Sequence, residues 1–367
     1  MNKLKNKRVA LVYDRINKWG GAERILLALH EIFPDAPLFT SVYNSRKAKW
    51  ANVFKINSSF LQNIPFASNH HEYLPILMPL AFESFSFDEY DLVISVTSES
   101  AKGIITKSHT LHICYCLTPT RYLWSGFDNY FSNKLLRTLS KPAVKYLKNW
   151  DLIAAKRPDK YIAISKEVQK RINKYYDRES EVIYPPSGIL GNSFEISGKM
   201  QKQKQDYFLV VSRLVSYKHI DLAVKACNEL KVPLLIIGNG SEERKLKSIA
   251  GPTIKFIGYV DDAKLAQYYH FCRALIFPGH EDFGLTMVET LSFGKPIIAY
   301  KAGGALEIVT ENKTGIFFAM QTVEALKKAI REFEDSIFNA QSCKKQANKF
   351  SVKAFNDNFI NTVESLL

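Results

Sequence analysis

Short apolar runs alternate with segments of helical periodicity along most of the chain, and no other feature of the sequence constrains the fold so strongly. In the first half, the run Val9–Tyr13 leads to Gly20-Gly21 and then to a segment of helical period. Further apolar runs lie at residues 92–96, 111–116, 207–211, 234–237, 254–257, 274–277, 296–299 and 315–318, and residues 220–230 have a helical pattern. Alternation of this kind is typical of α/β proteins built on parallel sheets.

The length and one break in the pattern indicate two domains. At about 150 residues per domain, 367 residues are enough for two domains, each with its own core. Residues 184–188 read Tyr-Pro-Pro-Ser-Gly, which interrupts regular structure, and residues 191–206 are polar and rich in lysine and glutamine. We therefore predict Rossmann-like domains over residues 1–184 and 185–350, with ligands in a cleft where the carboxyl ends of the two sheets face each other.

Composition excludes several common classes of protein. Apolar residues make up 46% of the chain and charged residues 23%, which is typical of a globular protein and not of a disordered one. No apolar run approaches the roughly 20 residues that span a bilayer, and the run after the basic start is shorter than a signal sequence needs. The five cysteines are few and scattered, which predicts reduced thiols. We therefore expect a cytosolic protein.

One trio of potential metal ligands needs separate consideration. His112, Cys114 and Cys116 alternate along a predicted strand and would point to one face of it. A fourth ligand is missing, and a buried strand with small thiols explains the same residues. We expect no metal site there.

Positive charge is concentrated in one stretch of the chain. The net charge is +14; residues 101–180 carry 16 basic and six acidic groups, whereas residues 51–100 carry one basic and six acidic groups. Clustered lysine and arginine favour nucleic acid or an anionic membrane as the partner, but a lysine-rich solvated surface explains the same charge. No recognition-helix or stacking-aromatic motif accompanies the charge, so we expect no nucleic-acid partner.

Part of this stretch has the pattern of an amphipathic helix. The basic residues Lys134, Arg137, Lys141, Lys145 and Lys148 recur at spacings of three and four, with Leu135, Leu136, Leu139, Val144 and Leu147 between them. Pro142 is expected to interrupt the segment. Such a helix either packs its apolar side on the domain core or docks on an anionic leaflet, and both alternatives stay open here.

Two glutamates eight residues apart form the first candidate site. Glu281 and Glu289 flank a Phe-Gly pair, and the sequence predicts that a loop ends at Gly284 and a helix begins at Leu285. The amides of Phe283, Gly284 and Leu285 would then lie at a helix N-terminus, which favours a phosphate. One carboxylate could bind sugar hydroxyls and the other a ribose, although an acidic loop before an ordinary helix explains the pattern too.

Two basic residues follow the first strand of the second half. Arg213 and Lys218 lie just beyond the run at 207–211, so both are expected at the carboxyl edge of the sheet. A guanidinium and an ammonium can together hold a diphosphate. The chain contains no Asp-x-Asp, the usual short motif for a bound divalent cation, so we expect metal-independent chemistry.

Glycine pairs supply weaker signals. Gly20-Gly21 precedes a helix and leaves room for a phosphate, and Gly238-Asn239-Gly240 follows another strand, but neither has the full dinucleotide-binding pattern. Plain turn chemistry explains both pairs equally well. No Gly-x-x-x-x-Gly-Lys-Ser/Thr loop is present, which excludes a P-loop NTPase.

In order along the chain, these motifs resemble the retaining nucleotide-sugar glycosyltransferases of the GT-B fold that carry a Glu-x7-Glu motif, which are glycosyltransferase family 4, group 1. The matching elements are Gly20 to Glu23, Ile164 to Lys166, Tyr184 to Pro186, Ser212 to Lys218, Gly238 to Gly240, Phe256 to Tyr259, Glu281 to Glu289, Gly294 to Pro296 and Gly303 to Glu307. Tyr115-Cys116, Thr118-Pro119, Arg121 to Trp124 and Trp150 to Arg157 resemble the mannosyltransferase branch that builds bacterial surface polysaccharides.

The resemblance implies a role for each part of the chain. The first domain would bind the acceptor, the second would bind the nucleotide sugar, and a helix at about 351–367 would pack back on the first domain. Glu281, Arg213 and Lys218 would carry catalysis. The donor would be held by Gly20, Gly21, Arg213, Lys218, Gly238, Asn239, Tyr259, Val260, Glu281, Phe283, Gly284, Leu285 and Glu289, with the diphosphate on Arg213 and Lys218, the ribose on Glu289 and the base near Tyr259 and Val260.

The implied reaction moves a hexose, specifically mannose from GDP-mannose, to a lipid-linked or oligosaccharide acceptor for surface polysaccharide. It would keep the anomeric configuration by front-face attack, with a donor phosphate oxygen taking the acceptor proton, and would need no metal or other cofactor. The enzyme would lie at the inner face of the plasma membrane as a peripheral protein.

One position departs from the family pattern. Relatives usually carry a histidine before the Thr-Pro pair, near the reacting carbon, and this chain has Leu117. His112 or His109 could substitute, the acceptor could supply the contact, or turnover could be slow. A subunit that binds nucleotide sugar or glycan without turnover is the alternative function.

Overall fold

The computed structural model describes residues 4, 6–127, 134–188, 191, 206–334 and 337–367, so most of the polar segment at 191–206 lies outside the described residues. The chain divides into two compact units. The first comprises Met1–Pro185 and Phe355–Leu367, and the second comprises Pro186–Ala354. Each unit is built around its own parallel sheet, as the alternation of apolar runs predicts.

The first unit contains a seven-stranded sheet in the order β3-β2-β1-β4-β5-β6-β7. Its strands are β1 Val9–Tyr13, β2 Leu38–Thr40, β3 Ile56–Ser58, β4 Leu92–Thr97, β5 Leu111–Cys116, β6 Lys160–Ala163 and β7 Glu181–Val182. Its α-helices are α1 Gly21–Ile32, α2 Ala67–His70, α3 Met78–Glu83, α4 Lys134–Ala154 and α5 Lys166–Tyr176.

The second unit contains a six-stranded sheet in the order β10-β9-β8-β11-β12-β13. Its strands are β8 Phe208–Val211, β9 Leu234–Ile237, β10 Ile254–Gly258, β11 Leu275–Phe277, β12 Ile297–Tyr300 and β13 Gly315–Phe318. Its α-helices are α6 Ile220–Leu230, α7 Glu243–Ser248, α8 Asp262–Phe271, α9 Leu285–Ser292, α10 Ala305–Ile308, α11 Val323–Glu332 and α12 Ala340–Asn348.

The final helix, α13, spans Val352–Leu366, and the unit boundary falls inside it. The rings of Phe355 and Phe359 lie 5.8 and 6.4 Å from the ring of Tyr115 on β5, so this helix packs against the first sheet. The central strands are mostly apolar and buried on both faces; every residue of β1 and β4 is buried. Continuous apolar runs, rather than alternating ones, are what a parallel sheet covered on both sides requires.

Each sheet has one point at which the chain order reverses. The first sheet grows from β1 toward β3 on one side and from β4 toward β7 on the other, and the second grows in the same way from β8 and β11. Connections on the two sides of such a point run in opposite directions, which opens a crevice at the carboxyl ends of the two neighbouring strands. Ligands of open α/β sheets bind there, so the candidate sites are the loops after β1 and β4 and after β8 and β11.

The interruption expected at Pro142 is wrong, because α4 continues through it. Pro142 is exposed, and the one backbone hydrogen bond that a proline removes therefore lies on the solvent side of the helix. Val144 and Leu147 are buried with Leu123, so this side of the helix packs on the first unit's core.

The trio on β5 is part of the buried sheet. The His112 Nε2 atom lies 2.8 Å from the Ser95 hydroxyl on β4, and burial, reinforced by the charge of Arg157, lowers the pKa of His112 to about 3. Cys114 and Cys116 are buried free thiols. Across the described ranges, no group of three or more His, Cys, Asp or Glu side chains is placed to hold a metal ion. None of the helices in those ranges is long and apolar enough to cross a membrane.

Candidate active site

The loops at the carboxyl edge of the second sheet converge on the segment that follows β8. A Cβ atom on Gly238 or Gly240 would overlap the carbonyl oxygens of Ser212 or Leu214, so only glycine allows these backbones to approach. The Leu214 amide donates to the Asn239 carbonyl at 2.9 Å, and the Gly238 amide donates to the Gly258 carbonyl at 2.9 Å. The loops after β8, β9 and β10 thus form one packed edge.

Lys218 and Glu281, which are 63 positions apart in the sequence, form an ion pair at this edge. Lys218 ends a 3₁₀ turn, Ser216–Lys218, after β8, and Glu281 lies in the loop after β11. Their side chains are 14% and 13% exposed. A Cβ atom on Gly279 would come within 3.2 Å of the Lys218 carbonyl oxygen, so the two loops pack backbone against backbone. The pair stands at the crevice between β8 and β11.

Arg213 lies on the same segment but is exposed. Its guanidinium Nη2 donates to the Tyr217 hydroxyl at 2.6 Å, and the Lys218 Nζ atom lies 5.3 Å from the centre of the Tyr217 ring. Tyr217 therefore lies between the two cations that the sequence assigns to a diphosphate. Tyr217 was not predicted as a site residue, although it lies within the motif Ser212 to Lys218.

The helix predicted to begin at Leu285 does so. Its N-cap is Gly284, whose φ of 101° is in the left-handed region that favours glycine. The Gly304 amide donates to the Glu281 carbonyl at 2.9 Å, which fixes the loop before the helix. The ring of Phe283 packs 5.4 Å from that of Phe350, so this residue can offer a ligand only its backbone. The free backbone amides at such a helix N-terminus can donate hydrogen bonds to phosphate oxygens, and the helix dipole favours their negative charge.

Glu289 lies one turn inside α9, as predicted, but its side chain is buried. The residue is 4% exposed, and the Tyr269 hydroxyl on α8 donates to the Glu289 Oε2 atom at 2.7 Å. A buried carboxylate needs such partners to remain charged. Its contact with a ribose stays a prediction.

The remaining predicted donor residues occupy two places. Tyr259 follows β10 and is 75% exposed, Val260 beside it is half-buried, and Asn239 lies in the converging loops described above. Gly20 and Gly21 are in the first unit, where Gly20 is the N-cap of α1 in an extended conformation. Glu23 in the first turn of α1 is buried and accepts from the Tyr13 hydroxyl at 2.7 Å. The phosphate contact of Gly20 and Gly21 stays a prediction.

Neither histidine considered as a substitute for the family histidine can reach position 117. Leu117 directly follows the carboxyl end of β5, whereas His112 is the second residue of that strand, about 16 Å away at 3.3 Å per residue. His109 precedes the strand, where its Nε2 atom contacts the Asp88 carbonyl at 3.2 Å. This alternative is therefore wrong.

A buried charge network lies in the first unit, and none of its residues was predicted to have a role. Asp151 on α4 accepts hydrogen bonds from the Lys102 ammonium at 2.6 Å, the Thr120 hydroxyl at 3.0 Å, the Trp124 indole at 2.7 Å and the Tyr176 hydroxyl at 2.8 Å. The Lys102 and Asp151 side chains are 2% and 1% exposed. The network ties the segments after β4 and β5 to α4 and α5. Asp151 could have been found, because Trp150 and Asp151 begin the motif at 150–157. Lys102 belongs to no motif, so nothing in the sequence pointed to its role.

The fold as a whole is that of nucleotide-sugar glycosyltransferases of the GT-B type. The chain matches HepE from Anabaena, solved in complex with UDP and glucose, with a TM-score of 0.72 and 20% identity over 98% of this chain and 100% of that one. It matches sucrose-phosphate synthase from Thermosynechococcus elongatus with a TM-score of 0.76 and 16% identity over 98% and 99% of the two chains. These matches confirm the predicted fold class.

Residues 192–350 match the family described as "Glycosyl transferases group 1". The matched segment lies in the second unit and covers fewer than half of the residues of the chain, and the prediction of a glycosyltransferase is supported at that level. The O-antigen chain mannosyltransferase C of Escherichia coli is 22% identical over 64% of this chain and 66% of its own length. A GDP-mannose-dependent alpha-mannosyltransferase of Mycolicibacterium smegmatis is 36% identical over 33% of this chain and 32% of its own. The first three curated relatives are matched over only 56% to 66% of their lengths.

Proposed function

We propose that this protein transfers a hexose from a nucleoside diphosphate sugar to a glycan acceptor, and that the second unit binds the donor. The observation that carries the proposal is the pair Lys218–Glu281 at the crevice between β8 and β11, with Arg213 on the same segment. Two cations on one segment match the charge of a diphosphate, and α9 begins four residues after Glu281, the partner of Lys218. A carboxylate next to them is an acceptor for sugar hydroxyls.

We further propose that the sugar is mannose and that the donor is GDP-mannose. The mannosyltransferases among the relatives support this assignment, whereas the solved neighbour HepE holds UDP. The acceptor in this proposal is a lipid-linked glycan of a surface polysaccharide. Transfer retains the anomeric configuration and proceeds without a metal, because Arg213, Lys218 and the amides of α9 supply the positive charge that a cation would supply elsewhere.

The test is the release of nucleoside diphosphate from a panel of GDP-mannose, UDP-glucose, UDP-galactose and UDP-N-acetylglucosamine. Each donor is incubated with and without a lipid extract that contains polyprenyl-linked glycans. We expect GDP release from GDP-mannose, stimulated by the extract. Release of UDP alone would refute the mannose assignment, and no release from any donor would refute the transfer function. If no donor releases its nucleotide but GDP-mannose still binds, the alternative function is favoured, namely a subunit that binds the donor without turnover. Leu117 in place of the family histidine is the feature that supports this alternative.

We propose that helix α4 docks this enzyme on an anionic leaflet, where it meets a lipid-linked acceptor. One exposed side of the helix carries apolar residues at a spacing of seven: Leu139, Tyr146 and Ile153 are 69%, 50% and 60% exposed. Arg137, Lys141 and Lys145 are exposed elsewhere around the same helix. Apolar side chains that enter the interface and lysines that reach the headgroups are typical of interfacial helices.

The structure changes which residues should carry this docking. Lys148 is half-buried, and its Nζ atom lies 5.2 Å from the Trp124 ring and 5.4 Å from the Phe127 ring, so it packs against the first unit. Arg137 likewise lies 5.1 Å from the Phe127 ring. We therefore expect salt-reversible sedimentation with anionic but not neutral vesicles, weakened when Lys141 and Lys145 are changed together to glutamate. Equal sedimentation with both kinds of vesicle would refute the docking.

A further inference from the structure

A buried tyrosine on α8 contacts the carboxylate that the sequence assigns to the donor ribose. The Tyr269 hydroxyl donates to the Glu289 Oε2 atom at 2.7 Å, and the two residues are 0% and 4% exposed. Tyr269 belongs to none of the sequence motifs, and it lies 20 residues before Glu289. The hydrogen bond therefore joins two helices, α8 and α9, at a point that no local pattern predicts.

We propose that Tyr269 is a positioning residue for nucleotide binding: its hydroxyl holds the Glu289 carboxylate where that carboxylate accepts a hydrogen bond from the donor ribose. The inference rests on the proposed function, because it concerns how the second unit binds the nucleotide. Tyr269 does not itself touch the donor, and its effect is transmitted through the position of Glu289.

The ring of Tyr269 is held against α9 at a second point. It lies 5.7 Å from the Phe293 ring at an interplanar angle of 25°, which is a stacked arrangement. Phe293 is the C-cap of α9, one turn after Glu289, so the ring and the hydroxyl contact the same side of that helix. A ring that is stacked in this way points its hydroxyl in one direction, so the Glu289 Oε2 atom meets its donor at one place.

The backbone that carries Tyr269 is held as well. The Cys272 thiol donates to the Tyr269 carbonyl at 3.3 Å, and the Tyr207 hydroxyl donates to the Tyr268 carbonyl at 3.0 Å. Tyr207 directly precedes β8, so the end of α8 is tied to the sheet. A side chain that positions a binding group needs such support of its own.

A neutral donor suits this task better than a cation does. A carboxylate that is buried without hydrogen bonds becomes protonated rather than charged. The phenol of Tyr269 donates to the charged form but brings no opposite charge to cancel it. Because hydroxyl groups bond more strongly to an ionised acceptor than to a neutral one, Glu289 is kept as a strong acceptor for a ribose hydroxyl. Glu281, by contrast, faces the ammonium of Lys218.

The test is calorimetric titration of GDP, UDP and their 2′-deoxy and 3′-deoxy forms. We expect the wild type to bind GDP or UDP about tenfold more tightly than at least one of its deoxy forms, because that form lacks the hydroxyl from which Glu289 accepts. Tyr269→Phe keeps the stacked ring, so its circular dichroism spectrum should match that of the wild type. It should weaken binding of the ribonucleotide about tenfold and leave the Kd of the deoxy form unchanged.

Two controls separate positioning from packing. Tyr207→Phe removes a phenol hydroxyl from the same end of α8 and should leave every Kd unchanged. In a Glu289→Ala background, Tyr269→Phe should cause no further rise in the Kd of the ribonucleotide, because a residue that acts through Glu289 has nothing left to position. This double variant leaves no buried Glu289 carboxylate without its donor, so the comparison stands even where Tyr269→Phe alone does not fold.

The preference for ribose over deoxyribose decides between the outcomes. An unchanged preference in Tyr269→Phe would overturn the inference and leave the donor site in place. Equal weakening of the ribose and deoxyribose forms, or a further rise in Kd in the double variant, would show that Tyr269 only supports the fold and would overturn it as well. Equal binding of both forms by the wild type would do the same. Binding of neither GDP nor UDP to the wild type would instead overturn the proposed function, and this inference with it.

Discussion

Two lysine–carboxylate pairs, Lys102–Asp151 and Lys218–Glu281, show what the same chemistry does in two environments. Asp151 is sealed inside the first unit and accepts from four donors in three different segments besides its own helix. Lys218 and Glu281 lie at a sheet edge with 14% and 13% of their side chains exposed. A saturated and sealed pair can only hold its neighbours in place. A pair within reach of solvent can exchange one partner for a ligand, and we infer that this is its role.

The largest effect is expected for the sealed pair. Asp151→Ala removes the acceptor for four donors and leaves the Lys102 charge buried without its counterion, so it should lower the free energy of unfolding by about 3–5 kcal/mol. The measurement is urea denaturation followed by circular dichroism. Lys107→Ala in the same unit breaks a surface pair with Asp88 and should change stability by only about 0–1 kcal/mol. Equal losses of unfolding free energy in Asp151→Ala and Lys107→Ala would show that the sealed pair stabilises the unit no more than a surface pair does.

The Lys218–Glu281 pair should affect activity more than stability. Lys218→Ala and Glu281→Ala are each expected to reduce transfer by about 10²-fold or more, the usual cost of losing a charge-stabilising group. Their stability should fall less than that of Asp151→Ala, because the charge left behind still reaches solvent. Lys301→Ala, which breaks the exposed pair with Glu311 in the same unit, is the matched control for activity and stability. Full turnover by either site variant would refute the assignment.

Glu289 lies between these extremes, since it is buried yet belongs to the predicted donor site. Glu289→Gln keeps an oxygen that can accept from the Tyr269 hydroxyl, so the fold should persist. If Glu289 binds the ribose equally in the ground state and the transition state, the donor KM should rise about tenfold with kcat unchanged. Steady-state kinetics decide this, and a selective fall in kcat would assign the residue to chemistry instead.

The contrast between the pairs also explains what could be predicted from the sequence. Apolar runs depend on neighbouring residues, so β1, β4, β5 and β8 to β13 begin and end within one residue of the predicted runs, and α9 begins at the predicted residue. The short strands β2, β3, β6 and β7 were not predicted. The site residues after β8 and β11 were found because strand ends are local features and parallel strands share an edge. Which residues meet across that edge is a tertiary property, and the ion pair of Lys218 with Glu281 was not foreseen.

The network around Asp151 could not be read from the sequence for the same reason. Lys102 and Asp151 are 49 residues apart, and a lysine in a polar stretch is ordinarily exposed. Its burial depends on the packing of α4 and α5. The prediction at Pro142 failed for a different reason. A proline removes one hydrogen bond and crowds the preceding turn, but on the exposed side of a helix water can satisfy the freed carbonyl, and the local sequence does not show which side is exposed.

The central claim is that Lys218, together with Arg213, binds the donor diphosphate without a metal, and calorimetry in excess EDTA tests it most directly. GDP and UDP are titrated into the wild type, into Lys218→Ala, and into the double variant Lys102→Met with Asp151→Leu, which replaces the sealed pair by apolar side chains. We predict that the wild type binds one of the two nucleotides, that Lys218→Ala weakens its Kd about tenfold or more, and that the double variant leaves the Kd unchanged. Binding that requires a divalent cation, or an unchanged Kd in Lys218→Ala, would contradict the account.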